Sequence, residues 1–278
     1  MRQTQKHIPT EFKIVFLLLS VFLYGSSAAD ILFSAPPREK SEKSELMYEP
    51  VAKYLSEKLG ERVVYVQPKN WAAYSRDMRN NRYDIIFDGP HFAAWRIKHL
   101  NHVPVAKLPL NLRFVLVANN SDQKIKHIQD LMNEDICGMP SPNLGTMLVY
   151  KMYDNPVMLP NMYSVKGGMN NVLSNFLAGK CKAAILRDLF YNKLPENQKQ
   201  KLRIIATTES LPDQTITVSE RLNGKAQKIA GLLVSKEGAA ASGKLFEAYS
   251  KKAKYFLPTK IQEYNGMEKL LEGVVWGW

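Results

Sequence analysis

The strongest constraint on the fold is a regular alternation of short apolar runs with amphipathic stretches near the start of the chain. Apolar runs at residues 31–34, 62–67 and 83–87 predict three strands, and each is followed by a stretch with helical spacing. Gly60 is placed to end the first helix, and Asn70 can cap the start of the second. Repeated strand–helix units of this kind build a sheet flanked by helices. The sequence therefore predicts an α/β fold.

The same rhythm restarts near residue 112 and divides the chain into two predicted lobes. Lobe 1 is expected to comprise residues 30–111 and 212–278, and lobe 2 residues 112–211, each with a mostly parallel sheet. The chain then crosses between the lobes twice, which leaves a cleft between them. Ligands in open α/β sheets bind beyond the carboxyl ends of the strands. Three helices are expected to finish the chain, at residues 224–235, 240–252 and 260–271.

The first 29 residues have the pattern of a cleavable secretory signal. Basic residues precede a mostly apolar run at residues 14–23, and small residues lead to a cleavage point after Ala29. The alternative is an uncleaved membrane anchor, but the run is shorter than the roughly 20 residues that a spanning helix needs. No cysteine near the junction offers a lipid attachment site. We expect export to a periplasm as a freely diffusing monomer.

A strong excess of positive charge favours anionic partners. The formal net charge is +12, and the predicted signal contributes +2 of it, which leaves +10 on the exported chain. Such an excess raises the local concentration of anions. A small anionic solute or an anionic lipid surface would fit, and a merely solvated basic surface is the alternative. Nucleic acid is not expected, because the chain is exported and has no basic–aromatic motif.

The two cysteines, Cys137 and Cys181, are candidates for a disulfide. An even number of cysteines in an oxidising compartment favours pairing. Two buried free thiols are the alternative, since the spacing along the chain does not fix the geometry.

Four segments carry a family resemblance through their order and spacing. They are PVAKYL at 50–55, WAAY at 71–74, YDIIFDGP at 83–90, and LAGK at 177–180 followed by AAI at 183–185. Together they resemble the periplasmic solute-binding proteins of phosphonate, phosphite and phosphate ABC importers, which have the type 2 periplasmic-binding-protein fold. The resemblance implies a hinged, non-catalytic receptor without a cofactor. It would capture a small anionic solute and deliver it to an ABC permease in the inner membrane.

The resemblance also implies where the solute binds. Aromatic residues at the positions of Trp71 and Phe92 line the cleft, and a helix start in lobe 2 holds the oxyanion. That start corresponds here to Ser141, Asn143 and Thr146. Unpaired N–H groups and the helix dipole favour an anion at such a place. The segment departs from the expected Ser-Thr-Ser-Gly pattern, because only two hydroxyls flank a proline that has no N–H. Phosphonate itself therefore does not follow.

Four further candidates stand at predicted strand ends. Asp88 and His91 flank a Gly-Pro step where a ligand could approach the backbone, and Arg187 and Asp188 end the strand before a short helix. His91 could donate to an anion, and it could equally be structural. The charged pair could hold polar groups of a ligand, and the alternative is a local salt bridge with Asp188 as a helix cap.

Other classes of function lack a signature. His99 and His102 have a spacing that permits a metal, but no third ligand stands out. The chain has no nucleophile elbow, no His-Glu-x-x-His and no phosphate-binding glycine loop, so we do not expect an enzyme. Two alternatives to transport stay open. The chain could feed a sensor kinase or another envelope protein, or it could bind a heteroaromatic cofactor precursor stacked on Trp71 and Phe92.

Overall fold

The computed structural model describes residues 29–155, 157–249 and 253–272. The predicted signal sequence lies outside these residues apart from its last residue, Ala29. From residue 31 onward the chain forms two five-stranded sheets flanked by helices, together with a separate pair of short strands. The predicted α/β class is confirmed.

The strands contribute many of the buried apolar residues, and the three strands expected near the N-terminus are present. In chain order the strands are β1 (Ile31–Ser34), β2 (Val63–Val66), β3 (Ile85–Asp88), β4 (Val103–Lys107), β5 (Asn111–Leu112), β6 (Phe114–Asn119), β7 (Asp135–Gly138), β8 (Asn161–Ser164), β9 (Ala183–Arg187), β10 (Leu202–Thr207), β11 (Leu211–Pro212) and β12 (Thr215–Val218).

Local interactions define the end of the first helix and the start of the second. Gly60 closes the first helix in the left-handed conformation, with φ of 73°. The Asn70 side chain caps the second helix by accepting from the Ala73 N–H at 2.8 Å. The α-helices are α1 (Ser41–Leu59), α2 (Trp71–Arg79), α3 (Pro90–Leu100), α4 (Leu144–Lys151), α5 (Met169–Leu177), α6 (Asp188–Asn192), α7 (Glu196–Lys199), α8 (Ala226–Val234), α9 (Lys236–Ala241) and α10 (Gly243–Tyr249).

Both sheets are mixed, and four of the five strands in each run in the same direction, in agreement with the expected mostly parallel sheets. In the first sheet the order is β2-β1-β3-β12-β4, with β1 parallel to β2 and β3, and β12 antiparallel to β3 and β4. In the second sheet the order is β10-β6-β9-β7-β8, with β7 parallel to its neighbours and β6 antiparallel to its own. All the antiparallel pairings involve β6 or β12. β6 is the first strand formed after the chain enters the second sheet, and β12 is the first strand formed after it returns to the first sheet.

The chain passes between the two sheets at two adjacent points. β4 leads through β5 into β6, and β10 leads through β11 into β12. β5 and β11 pair antiparallel, with Leu112 opposite Leu211 and Asn111 opposite Pro212. We keep the names lobe 1 and lobe 2 for the parts of the chain that build the first and second sheet. A hydrophobic cluster shared by both lobes contains Phe92 of α3 and Met147 of α4.

The C-terminal part differs from the expected helices. Ser242 interrupts the helix predicted over 240–252, which leaves α9 and α10, and residues 250–252 lie outside the described part. Two 3-10 turns, Ile261–Tyr264 and Met267–Leu270, replace the helix predicted over 260–271. Gly266 separates these turns with φ of 81°, a left-handed conformation that a continuous helix does not accommodate. No described helix has both the length and the apolar character needed to cross a bilayer.

A buried ion pair joins β3 to α3. Arg96 is fully buried, and its terminal nitrogens lie 2.6 and 2.8 Å from the two carboxylate oxygens of Asp88. Tyr74 donates its hydroxyl to the same carboxylate, and Arg96 donates to Thr217 Oγ1 at 2.9 Å. A charge without water is tolerated only when it is paired and hydrogen-bonded, and both conditions are met here. The pair therefore fixes α3 against the first sheet.

The buried pair predicts that Arg96→Met lowers the stability of the fold much more than Lys244→Met does. Arg96→Met should lower the free energy of unfolding by roughly 3–5 kcal/mol, because it leaves the Asp88 carboxylate buried without a counterion. Lys244→Met removes the exposed pair with Glu247 and should change stability little. Denaturant unfolding of the two variants measures the difference. Equal small effects would show that Asp88 does not rely on Arg96.

Cys137 and Cys181 form a disulfide that joins β7 to the residue two positions before β9. The bond closes a loop with a sequence separation of 44, and both residues are buried in the core of lobe 2. A crosslink stabilises a fold mainly by restricting the unfolded chain, and a loop of this length corresponds to about 4 kcal/mol in the chain-entropy estimate.

Removal of the disulfide should therefore destabilise the protein. We expect the double variant Cys137→Ala, Cys181→Ala to melt about 10 °C below the oxidised protein, from the stability change and the size of the chain. Differential scanning calorimetry measures the shift. Addition of a reductant to the unsubstituted protein should reproduce it, and an unchanged melting temperature in both cases would contradict the structure.

Candidate ligand-binding site

The start of α3 lies at the carboxyl end of β3, between the two lobes. Gly89 is the N-cap residue in an extended conformation and Pro90 occupies the first helical position. No side chain caps this helix, whereas α4 in lobe 2 is capped by Asn143. The first N–H groups of a helix carry a partial positive charge and attract anions when no side chain occupies them. The start of α3 therefore has the electrostatics of an anion site.

His91 connects this helix start to lobe 2. The residue is 2 % exposed, and its Nε2 lies 3.0 Å from the carbonyl oxygen of Pro142. Since a carbonyl can only accept, Nε2 carries the hydrogen and donates it across the lobes. Burial lowers the pKa of His91 to about 4, so the ring is neutral near pH 7. Its other nitrogen, Nδ1, is buried and has no hydrogen-bond partner among the described residues.

Arg38 brings a positive charge to the same place from the end of β1. Its Nη1 donates to Gln214 Oε1 at 2.9 Å and approaches the Tyr249 hydroxyl at 3.4 Å. The guanidinium also stands 5.8 Å from the centre of the Tyr249 ring. These contacts hold an exposed arginine in one orientation, with Nη2 turned toward Gly89.

Gly89 is needed for the close approach of these groups. A Cβ atom at residue 89 would lie 2.8 Å from His91 Cε1, 2.9 Å from His91 Nδ1 and 3.9 Å from Arg38 Nη2. The first two distances are shorter than real Cβ contacts. The imidazole and the guanidinium therefore flank one face of Gly89, and we call Arg38, Gly89 and His91 the α3 site.

A second cation faces the crossing strands from lobe 2. Arg187, at the end of β9, donates to Asp213 Oδ2 at 2.8 Å and approaches the Asn111 carbonyl at 3.4 Å. Its Nε is buried without a partner among the described residues. Burial raises the pKa of Asp213, while the positive charges of Arg187 and Arg38 oppose that change. Arg187 thus ties lobe 2 to the segment between β11 and β12.

Three aromatic rings cover the α2 side of the site. Trp71 stacks on Phe92 with ring centres 6.2 Å apart, and the buried Tyr74 meets both rings edge to face. Trp71 is 39 % exposed although it is large and apolar, so part of its ring surface is accessible to a ligand. Tyr74 is committed to the core, because its hydroxyl donates to Asp88.

The helix start that the resemblance assigns to the oxyanion is occupied by the chain's own groups. Asn143 Oδ1 accepts from the Gly145 N–H at 3.0 Å, and the fully buried Thr146 donates its hydroxyl to the Met139 carbonyl at 2.6 Å. Ser141 is exposed and its Oγ lies 3.7 Å from Met147 Sδ. The Asn143 Oδ1 and the Thr146 hydroxyl therefore have partners within the chain, and the binding role predicted for these three residues stays a prediction.

The predicted acidic residues also have internal partners. Both oxygens of Asp88 bind Arg96 inside lobe 1. Asp188 accepts from Arg113 Nε at 3.0 Å, which is the local salt bridge considered as its alternative, and from the Leu189 N–H at 2.6 Å. It is the first residue of α6 and not its N-cap. We leave both carboxylates out of the proposed site, although Asp88 positions it through α3.

Sequence reasoning did not single out Arg38 or Gln214. Gln214 and Asp213 follow β11, and only the return of the chain to lobe 1 brings them near the end of β1. A charged residue directly after the two prolines of the loop that follows β1 is the signal that could have identified Arg38.

The two histidines considered for a metal lie apart from this site. His102 is buried between Thr217 Oγ1 at 3.2 Å and Asn81 Oδ1 at 2.8 Å, and His99 meets Glu272 at 2.9 Å on the surface. Burial lowers the pKa of His102 to about 2. Within the described ranges, no cluster of three or more His, Cys, Asp or Glu residues could hold a metal ion.

The close packing at Gly89 predicts a specific effect of a single methyl group. Gly89→Ala should displace the His91 ring, break its bond to Pro142 and lower the free energy of unfolding by roughly 1–3 kcal/mol. Gly224→Ala is the matched control, since a Cβ there meets nothing within 4 Å. Thermal unfolding of both variants measures the effect. If Gly89→Ala were as stable as the control, the imidazole would not lie where the structure places it.

Comparison with known proteins identifies a family. Residues 33–264 match the family described as "ABC transporter, phosphonate, periplasmic substrate-binding protein". A comparison with curated protein sequences finds no match to this chain.

Solved structures with the same fold are distant in sequence. PhnD1 from Prochlorococcus marinus, in complex with methylphosphonate, is 17% identical with a TM-score of 0.63, over 87% of this chain and 97% of that one. XAC2383 from Xanthomonas citri, bound to ATP, is 12% identical with a TM-score of 0.70, over 89% and 100%. A binding protein component of an ABC phosphonate transporter from Pseudomonas aeruginosa is 15% identical with a TM-score of 0.57, over 87% and 85%. These similarities show the two-lobed fold.

Proposed function

Since the chain belongs to the family of periplasmic substrate-binding proteins of phosphonate ABC transporters, we propose that it is an exported receptor that captures a small phosphorus oxyanion between its lobes. The family consists of solute-binding proteins and not of enzymes. The receptor would deliver its solute to an ABC permease in the inner membrane. Cleavage after Ala29 would release it as a soluble periplasmic monomer.

The observation that carries this proposal is the contact between the lobes at the α3 site. His91 of lobe 1 donates to the Pro142 carbonyl of lobe 2, directly beside the uncapped start of α3 and the Arg38 guanidinium. An oxyanion placed there would be attracted both by the positive charge of Arg38 and by the positive end of the α3 helix dipole. Arg187 adds a second cation where the chain crosses between the lobes. Phosphate and phosphonate groups fit such a set of donors.

The paired strands β5 and β11 are the proposed hinge. Residues 30–111 with 212–278 would move as lobe 1 against residues 112–211 as lobe 2. Both crossings lie side by side, so a small backbone rotation there would open the cleft without breaking either five-stranded sheet. Opening would separate His91 from Pro142, which couples ligand access to this hydrogen bond.

The exposed face of Trp71 favours a second candidate, a ligand that carries a heteroaromatic ring beside its anionic group. The ring would stack on Trp71, which already stacks on Phe92, while the anion occupies the α3 site. A simple alkylphosphonate would leave this face unused. Comparison of methylphosphonate with adenosine monophosphate therefore separates the two candidates.

A thermal-shift experiment tests the proposed function. Methylphosphonate at 100 times its dissociation constant should stabilise the protein by about 2.7 kcal/mol, which raises the melting temperature by about 5–10 °C. Arg38→Met should abolish the shift, because it removes the cation of the α3 site. Lys40→Met changes a nearby exposed charge without contact to Gly89, and it should retain the shift.

The absence of a shift with phosphate, phosphite, methylphosphonate and adenosine monophosphate would refute this function. A shift that survives in Arg38→Met at the same ligand concentration would refute the α3 site as the place of binding.

A further inference from the structure

Residues 257–272 form a third link between the two lobes, in addition to the crossings at β5 and β11. They contain both 3-10 turns, and we call them the C-terminal strap. The strap begins at the edge of the first sheet, where Leu257 exchanges two backbone hydrogen bonds with Lys107 of β4, at 2.8 and 3.0 Å. Its start is therefore fixed to lobe 1.

Polar side chains also fix the middle of the strap to lobe 1. Glu263 accepts a hydrogen bond from the Lys107 ammonium group. The hydroxyl of the buried Tyr264 is hydrogen-bonded to Thr215 Oγ1 of β12 at 2.9 Å. Within residues 29–155, 157–249 and 253–272, no hydrogen bond or ion pair joins the strap to lobe 2. The polar contacts of the strap thus belong to one lobe.

Met147 of α4 indicates where lobe 2 is covered from outside. A Cβ atom at Gly145 would lie 2.7 Å from Phe114 Cδ1 and 3.2 Å from Ile185 Cγ2, so this side of α4 faces the second sheet. Met147 follows two positions later, about 200° around the helix, and points away from that sheet. It is nevertheless only 1 % exposed. A part of the molecule outside the second sheet therefore covers it.

The strap is in position to supply that cover. Its turn Met267–Leu270 contacts both α3 of lobe 1 and α4 of lobe 2. Met267 and Leu270 are buried in the same hydrophobic cluster as Met147. The strap is thus held by directional hydrogen bonds on lobe 1 and by apolar packing on lobe 2. Apolar packing has no directional requirement, so the two surfaces can separate without leaving a polar group unpaired.

We propose that the C-terminal strap is a latch between the lobes. It moves with lobe 1, and its turn at Met267–Leu270 packs on α4 when the lobes are closed and leaves α4 when they open. This inference rests on the lobe motion of the proposed function and adds the segment that opposes opening. Separation exposes apolar surface to water, which favours the closed arrangement. The strap then influences solute affinity from outside the α3 site, because affinity scales with the population of the binding-competent form.

Oxidation of methionines by hydrogen peroxide, followed by mass spectrometry, tests the latch without a ligand. Met147 and Met267 lie on its two sides, and Met47 lies in a separate core of lobe 1. Met147 is 1 % exposed and Met47 is 3 % exposed, so a rigid protein would oxidise both at similar slow rates. We expect Met147 and Met267 to be oxidised about tenfold faster than Met47, because opening of the lobes exposes them while the core of lobe 1 stays closed.

A strap variant and a matched control identify the contact. Leu270→Ala shortens a buried side chain of the latch, and it should raise the oxidation rate of Met147 about tenfold while that of Met47 is unchanged. Ile261→Ala shortens an exposed side chain of the same strap, and it should leave the Met147 rate as in the unsubstituted protein. Thermal unfolding verifies that both variants are folded. Hydrogen exchange at the Leu257 N–H reports whether the strap stays on lobe 1.

The outcomes are distinguishable. Oxidation of Met147 as slow as that of Met47 would overturn the latch, and so would a Met147 rate that does not respond to Leu270→Ala. Exchange at Leu257 as frequent as the exposure of Met267 would also contradict it, because the strap would then detach from lobe 1. Methylphosphonate should slow the oxidation of Met147 and Met267 by the same factor. If no phosphorus oxyanion does so while the other results hold, the latch stands and the proposed function fails.

Discussion

The geometry of the candidate site depends on the buried pair of Asp88 and Arg96. Asp88 ends β3 and Arg96 lies eight residues later in α3, so their bidentate contact fixes the strand, the turn and the helix relative to one another. Gly89 and His91 lie inside that turn and have little freedom to move. Tyr74 and Thr217 complete the hydrogen bonds of the pair from α2 and β12. Both charges of the pair are engaged with each other, and the pair positions the residues of the proposed site.

Two helix starts face each other across the lobes, and their chemistry differs. The start of α4 is closed by Asn143 and by a Thr146 hydroxyl that donates to Met139. The start of α3 has no capping side chain, and Arg38 adds a full charge beside it. Since an anion binds where donors are unoccupied, our proposal places the oxyanion at lobe 1, whereas the family resemblance places it at lobe 2.

The parts of the structure that local sequence determines could be predicted. The alternation of apolar runs indicates β1, α1, β2 and α2 in order, Gly60 and Asn70 mark helix ends, and the order of four motifs identifies the family. The direction of β6 and β12 could not be predicted, because it depends on how the chain re-enters each sheet. The same holds for the site. The Arg38 side chain is held by a hydrogen bond to Gln214, a residue 176 positions away, and no local sequence pattern indicates that contact.

The central claim is that the oxyanion lies on the α3 site between the lobes. A crystal structure of the protein with bound methylphosphonate tests it most directly. The account predicts phosphonate oxygens within hydrogen-bond distance of Arg38 and of His91 Nδ1, with the Nε2 bond to Pro142 intact. A phosphonate group held instead by Ser141 and the first N–H groups of α4, with Asn143 displaced from its cap, would contradict it.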